Sequence, residues 1–298
     1  MYKINTIYFY KHLLSFIAFS ILSTYSLAGI VQKRLFIKRG LFTTVHKTTF
    51  PWIVFNEADT SFNQLNEVIS IFENDTLILT VINHDSTKHG FNLKEYTGIT
   101  AAEINPADSI TFTLKFPTQG TYIYYDSYQY PKNRYLGAAG IIAVTKKNAS
   151  IKKFYWNVKE HQSDFNNKLA QNIPVDWAQY KPDFFTFNGF SYPDILDDTV
   201  HTWINGNVGD TIHVFIANTG QSSHSIHFHG YHGKVLYSQH AKQIGWLKDT
   251  FPMKSMEGIL IEIVPDKPGY YTIHDHNLLT NTGASMHLRG MLSIMTIK

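Results

Sequence analysis

The chain has 298 residues, 44% hydrophobic, 15% aromatic and only 16% charged, with a net charge of +3, 15 histidines and no cysteine. So little charge beside so many aromatic rings excludes a disordered chain, a coiled coil or a solvated tail. No apolar run of roughly 18 residues lies beyond the N-terminus, which excludes a polytopic membrane protein. Without cysteine there are no disulfides, thiolate nucleophiles, zinc ribbons or iron–sulfur clusters, and no thiolate for a blue copper site.

The first segment has the layout of an export signal. Lys3 and Lys11 precede an apolar stretch over 13–22, and Ser26, Leu27 and Ala28 offer small residues for cleavage before Gly29. Residues 1–28 are therefore expected to be a signal peptide and the mature chain to be periplasmic or secreted. Its removal takes away two lysines and no acid, lowering the net charge from +3 to +1. No stripe of Lys and Arg suggests a nucleic-acid partner.

Short β-branched and aromatic runs, bounded by Asn, Asp, Gly and Pro, predict strands at 68–71, 76–82, 109–116, 120–125 and 140–144. A second set follows at 211–217, 225–228, 258–264, 269–273 and 291–297. The best helical candidate is 163–173. This pattern predicts an all-β chain of sandwich domains. The polar, Pro-punctuated stretch 148–175 reads as a linker.

An internal repeat divides the chain in two. Asp75-Thr76-Leu77-Ile78-Leu79-Thr80-Val81-Ile82-Asn83 matches Asp210-Thr211-Ile212-His213-Val214-Phe215-Ile216-Ala217-Asn218. Each copy reaches a histidine 14 residues after its Asp, His89 in the first and His224 in the second. Gly120-Thr121-Tyr122-Ile123-Tyr124-Tyr125-Asp126 then matches Gly269-Tyr270-Tyr271-Thr272-Ile273-His274-Asp275. Two homologous β-domains are expected, at 40–147 and 176–298.

The chemistry concentrates in the second copy. His224-Ser225-Ile226-His227-Phe228-His229 and His274-Asp275-His276 each contain a His-x-His pair. On a strand, residues i and i+2 share a face. His227 and His229 therefore project together, as do His274 and His276, and adjacent strands would bring four imidazoles to one place. Imidazole suits copper, zinc, iron and nickel, with copper(II) the most tightly held. His213 and His201 read as structural or solvated, and the tyrosines between 122 and 135 as sandwich packing.

At these motifs the chain resembles the multicopper oxidases and copper nitrite reductases, which are built from cupredoxin domains. The matching text is Phe187-Asn188-Gly189-Phe190, Gly209-Asp210-Thr211, His224-x-x-His227-x-His229-Gly230, Lys248-Asp249-Thr250, Asp266-Lys267-Pro268-Gly269, His274-Asp275-His276 and Gly290-Met291. The resemblance implies two cupredoxin-like Greek-key β-sandwiches. It implies His227 as ligand of a mononuclear (type 2) copper, and His229, His274 and His276 as ligands of a coupled (type 3) pair. It also implies a homotrimer, and a small-molecule or metal-ion substrate if the chain is an enzyme.

The departure from the family is chemical. His224 falls at a blue (type 1) copper histidine, but Asp275 stands at the cysteine, and the first domain repeats this with His89 and Asp126. A carboxylate is a hard ligand that cannot replace a thiolate. His224 and Asp275 could form a buried hydrogen-bonded pair, or a colourless metal site with His287 and Met286 or Met291. No spacing closes a ligand set, which favours the pair. The first domain also carries Asn92, Lys94, Tyr125 and Ser127 where the second has His227, His229, His274 and His276. The expectation is one copper per chain or fewer, held by three or four of those histidines and serving an oxidoreductase without blue copper. The rivals are a storage or interaction module without catalysis, and a nitrite-reductase-like enzyme fed by an external donor.

Overall fold

A computed structural model of the chain describes residues 28–147, 150–198, 202–239, 241–284 and 286–298. The expected leader, apart from its last residue, and His201 lie outside the described residues.

The first half contains β1 (Ile30–Thr43), β2 (Thr49–Asn56), β3 (Val68–Phe72), β4 (Thr76–Asn83), β5 (His89–Leu93), β6 (Ala102–Ile104), β7 (Ser109–Lys115), β8 (Gly120–Tyr125), the single-turn helix α1 (Lys132–Tyr135) and β9 (Ala139–Thr145). The second contains β10 (Ile151–His161), α2 (Ser163–Ala170), β11 (Phe184–Phe187), β12 (Asn205–Gly206), β13 (Thr211–Asn218), β14 (His224–Phe228), β15 (Gly233–Ser238), β16 (Leu247–Lys248), β17 (Thr250–Met253), β18 (Glu257–Ile263) and β19 (Gly269–Asp275). A short hairpin, β20 (Thr282–Gly283) and β21 (Met286–His287), precedes the last strand, β22 (Leu292–Ile297).

The halves share one topology. Sheet order β2-β1-β4-β7 in the first corresponds to β11-β10-β13-β18 in the second, which β15 and β16 extend. Opposite them lie β3-β9-β8-β5-β6 and β12-β22-β19-β14-β17. Each half is an all-β cupredoxin-like sandwich whose inward-facing apolar residues form its own core, around Leu77, Leu79 and Phe91 in one and Val214, Ile226 and Phe228 in the other. Burying a side chain of this kind stabilises by about 1.5–3 kcal/mol.

Two expectations about boundaries need correction. The first sandwich does not begin at 40: β1 starts at Ile30 and runs parallel to β4, pairing Ile30 with Thr76 and Ile37 with Asn83. The stretch 148–175 is not merely a linker, because β10 pairs in parallel with β13, Ile151 with Thr211 through Val158 with Asn218. Both strands interleave Lys, Arg, Gln or Asn with apolar residues, so neither shows the unbroken β-branched run that flagged the central strands. The helical expectation at 163–173 corresponds to α2, which buries Phe165 and Leu169 against the first sandwich.

The way the halves pack explains a difference between the repeat copies. Burial alternates along β4, which has one face to solvent, but β13 is buried from Ile212 to Asn218. Phe215 and Ala217, on its outer face, meet Ile123, Ile141 and Ala143 of the first half. A strand covered on both faces is apolar at consecutive positions. Arg134 of α1 crosses the junction, its Nη1 donating to the carbonyls of Thr219 at 2.6 Å and Gly220 at 2.7 Å. Beside it Lys159 Nζ donates to the Arg134 carbonyl at 2.8 Å, and burial pushes this lysine well below its usual pKa.

Candidate metal face and the closed blue-copper positions

The antiparallel pairing of β14 with β19 places His227 directly across from His274. The register continues past the strand ends, with the His229 amide donating to the Thr272 carbonyl at 3.0 Å and the His276 amide to the Ser225 carbonyl at 2.8 Å. The period of two therefore puts all four imidazoles on one face. Ring centroids lie 4.8 Å apart for His227 and His229, 5.2 Å for His227 and His276, 5.6 Å for His227 and His274, and 5.1 Å for His229 and His274. His229 and His276 are exposed and the other two half-buried. Partial burial, and then repulsion from the other three rings, lowers the His229 pKa and favours its neutral, metal-binding form.

Nε2 of His229 and Nε2 of His274 are 3.0 Å apart. This is a hydrogen bond between the two rings, and its length also suits one metal, since two nitrogens bound about 2.0–2.1 Å from one ion at about a right angle lie about 2.9 Å apart. Among the described residues no three or more His, Asp or Glu are already arranged to hold an ion. The face offers a fitted pair with two further imidazoles within ring contact.

Both positions expected to match a blue copper ligand pair are closed by ion networks. In the second sandwich His224 Nδ1 stands 2.6 Å from Asp275 Oδ2, and Nε2 2.9 Å from Glu160 Oε2. Asp275 Oδ1 accepts from the amides of Ser225 at 3.0 Å and Asn277 at 3.2 Å. In the first, His89 Nδ1 stands 2.5 Å from Asp126 Oδ2, and Nε2 2.8 Å from Asp85 Oδ2. There Asp126 Oδ1 accepts from the amides of Gly90 at 2.7 Å and Tyr128 at 2.8 Å. Carboxylates only accept, so both rings are doubly protonated imidazolium ions. Burial disfavours the charge on His224, but hydrogen bonds to Asp275 and Glu160 outweigh it and hold the pKa up to about 9. Glu160, despite its burial, is held down to about 2 by His224 and by the amides of Ser222 and Gln221.

With both ring nitrogens engaged, His224 has no lone pair for a metal. The alternative of a site made with His287 and a methionine is also not assembled: His287 is exposed in the β20–β21 hairpin, Met286 is exposed and Met291 lies in the core. Sequence reasoning found His224, Asp275, His89 and Asp126. It missed Glu160 and Asp85. Glu160 lies 64 residues before its partner on another strand, and its counterpart by strand register is Arg39, whose Nη2 donates to Asp85 Oδ2 at 2.8 Å.

The first sandwich keeps the frame of the metal face without its donors. Asn92 pairs with Tyr125 as His227 pairs with His274, and the Lys94 ammonium engages Glu95 at 2.8 Å. Tyr125 stacks edge-on with Tyr130 at 5.7 Å. His213 is buried beside Glu262, 3.2 Å away, in a structural role.

Comparison with known proteins agrees with this geometry. Family profiles described as multicopper oxidase match residues 62–149 and 168–291. No curated protein sequence matches the chain. Among solved structures, the blue copper oxidase from Nitrosomonas europaea superposes with a TM-score of 0.73 at 20% identity, covering 90% of this chain and 86% of that one. A multicopper oxidase designated mgLAC gives 0.75 at 19%, over 91% and 87%. The copper nitrite reductase from Nitrosomonas europaea gives 0.69 at 17%, over 90% and 94%. Likeness at such identities establishes a shared fold. The chain belongs to the multicopper oxidase family, as a pair of cupredoxin domains without the cysteine of a blue copper site.

Proposed function

We propose that the protein is an exported copper protein in which the face of His227, His229, His274 and His276 holds one copper ion or fewer per chain. The spacing of 3.0 Å between the Nε2 atoms of His229 and His274 carries this reading. Copper held by imidazoles alone supplies a redox couple and an open position for dioxygen or a small substrate. The protein's own part is to aim ring nitrogens and to hold four imidazoles close together. Asp275 and Asp126, at the blue-copper positions, provide no thiolate through which electrons could enter, so an oxidoreductase of this design takes them from its substrate or an external donor.

A homotrimer of the kind the resemblance implies would set this face against the first domain of a neighbouring copy, where Asn92, Lys94, Tyr125 and Ser127 add no imidazole. The second reading is a copper-holding module without catalysis, favoured by the closure of both blue-copper positions. A nitrite-reductase-like activity has less support, since Asn92, Lys94, Tyr125 and Ser127 supply no Asp–His pair opposite the metal face.

The test is metal analysis and electron paramagnetic resonance on the mature protein after copper loading. The expected result is up to one copper per chain with a type 2 spectrum, lost in the His227→Ala, His274→Ala variant. A wild-type protein that takes up no copper would overturn the proposal. Turnover of phenols, metal ions or nitrite then marks an enzyme, and inactivity on all three marks the module.

A further inference from the structure

The four imidazoles are not equally prepared for a metal. His274 Nδ1 lies 2.8 Å from the Asp275 carbonyl, with the Asn281 amide farther off at 3.5 Å. A carbonyl only accepts, so Nδ1 of His274 carries the proton and Nε2 keeps a lone pair. His227 reaches the same state by a side-chain route. Thr250 lies directly across β14 from His227, and its hydroxyl oxygen is 2.9 Å from His227 Nδ1. The same hydroxyl donates to Asp249 Oδ1 at 3.0 Å. A hydroxyl has one proton. Once that proton is directed to Asp249, the oxygen can only accept from the ring, and His227 must be protonated at Nδ1.

We infer that Thr250, oriented by Asp249, is a positioning residue that fixes His227 as the Nδ1–H tautomer with Nε2 aimed outward for the metal. The inference rests on the copper-site reading above for its purpose, though not for its geometry. The relay is anchored at both ends. The Phe228 amide donates to the Asp249 carbonyl at 2.8 Å, and His227 is held by its pairing with His274 on the other side. No device of this kind engages Nδ1 of His229 or His276 among the described residues. The metal face therefore has two rings whose tautomer is set by the strand frame, one on β14 and one on β19, and two that adapt to what binds.

The first measurement needs no metal. Nitrogen-15 shifts of the His227 ring, recorded in the metal-free protein at alkaline pH, should show the Nδ1–H tautomer in wild type. That preference should be lost in Thr250→Val, which keeps the shape of threonine, and restored in Thr250→Ser. The second measurement is copper affinity by competition titration. Removing an outer hydrogen bond to a ligand costs about 10–100-fold in affinity, expected for Thr250→Val and Asp249→Ala, with recovery in Thr250→Ser and an unchanged melting temperature for the metal-free protein. An Nε2–H tautomer in wild-type His227 overturns the inference, and so does full copper affinity in Thr250→Val. Wild-type protein with the Nδ1–H tautomer but no copper uptake would defeat the copper reading alone.

Discussion

A β-carbon placed on Gly220 would lie 1.9 Å from Oε2 of Glu160. The glycine at this point in the loop after β13 is what leaves room for the carboxylate that holds His224. In the first sandwich the corresponding loop residue is Asp85, which holds His89 itself, and the strand position of Glu160 is taken by Arg39. The two domains thus deliver a carboxylate to the same ring nitrogen from different elements.

Gly220→Ala should displace the Glu160 carboxylate and leave His224 with one counter-ion. Breaking a buried pair costs about 3–5 kcal/mol, and urea unfolding should show a loss of that order. Glu160→Ala should do the same. Combining Glu160→Ala with Gly220→Asp copies the first domain's solution and should be less destabilised than the sum of the two single changes. Simple additivity would show that the carboxylates are not interchangeable.

The same network predicts the course of stability with pH. The folded pKa of His224, about 9, stands above its ordinary 6.5, so its contribution is complete below about 6.5 and is lost as pH rises through 9. Glu160 is depressed from 4.5 to about 2, so its contribution is complete above about 4.5 and is lost as pH falls toward 2. The contribution of this network should be complete between about pH 4.5 and 6.5 and should fall on the alkaline side by an amount on the order of 3 kcal/mol. A stability difference between wild type and Glu160→Gln that stays constant from about pH 7 to 10, measured by denaturant titration, would contradict the buried imidazolium.

Asp275→Cys returns the thiolate but does not free the imidazole. Glu160 still holds Nε2 of His224, and the two amides that Asp275 accepts from, Ser225 and Asn277, lose a strong acceptor. The variant should be less stable than wild type and, with copper, should lack the intense visible absorption of copper–thiolate charge transfer. Its appearance in the visible spectrum would mean that Glu160 gives way.

Arg134→Ala should leave the Thr219 carbonyl at the domain junction without its donor and the Gly220 carbonyl with the Ser255 hydroxyl alone. Each buried unsatisfied acceptor costs about 1–3 kcal/mol. Arg134→Lys, a point charge without the guanidinium fork, should recover less than half of the loss. Denaturant midpoints no lower than wild type would show that the junction does not depend on this side chain.

Much of the fold was legible because central strands advertise themselves. β4 and β13 carry the repeat, with Asp75 and Asp210 before each and β-branched residues through both. The four-histidine face was legible because the strand period is local, and only the pairing of β14 with β19 had to be supplied by the structure. β1 and β10 were hidden by the charged residues spaced along them. Glu160 was hidden for a different reason: its role depends on a gap left by Gly220 and on a strand register that no short motif records. Thr250 stood in a recognised motif, but its partner could be known only once β17 was placed beside β14.

The two closed networks differ in the source of their second cation. Around His89 two carboxylates face two cations, since Arg39 joins the imidazolium, and the cluster is neutral. Around His224 two carboxylates face one imidazolium, and the second cation is Arg134 of α1, whose charge acts on Glu160. Asp275 lies on β19 between His274 and His276, so the network stands directly behind the imidazole face. The first domain thus neutralises its network from its own strand β1, whereas the second draws on a cation that the other domain supplies across the junction.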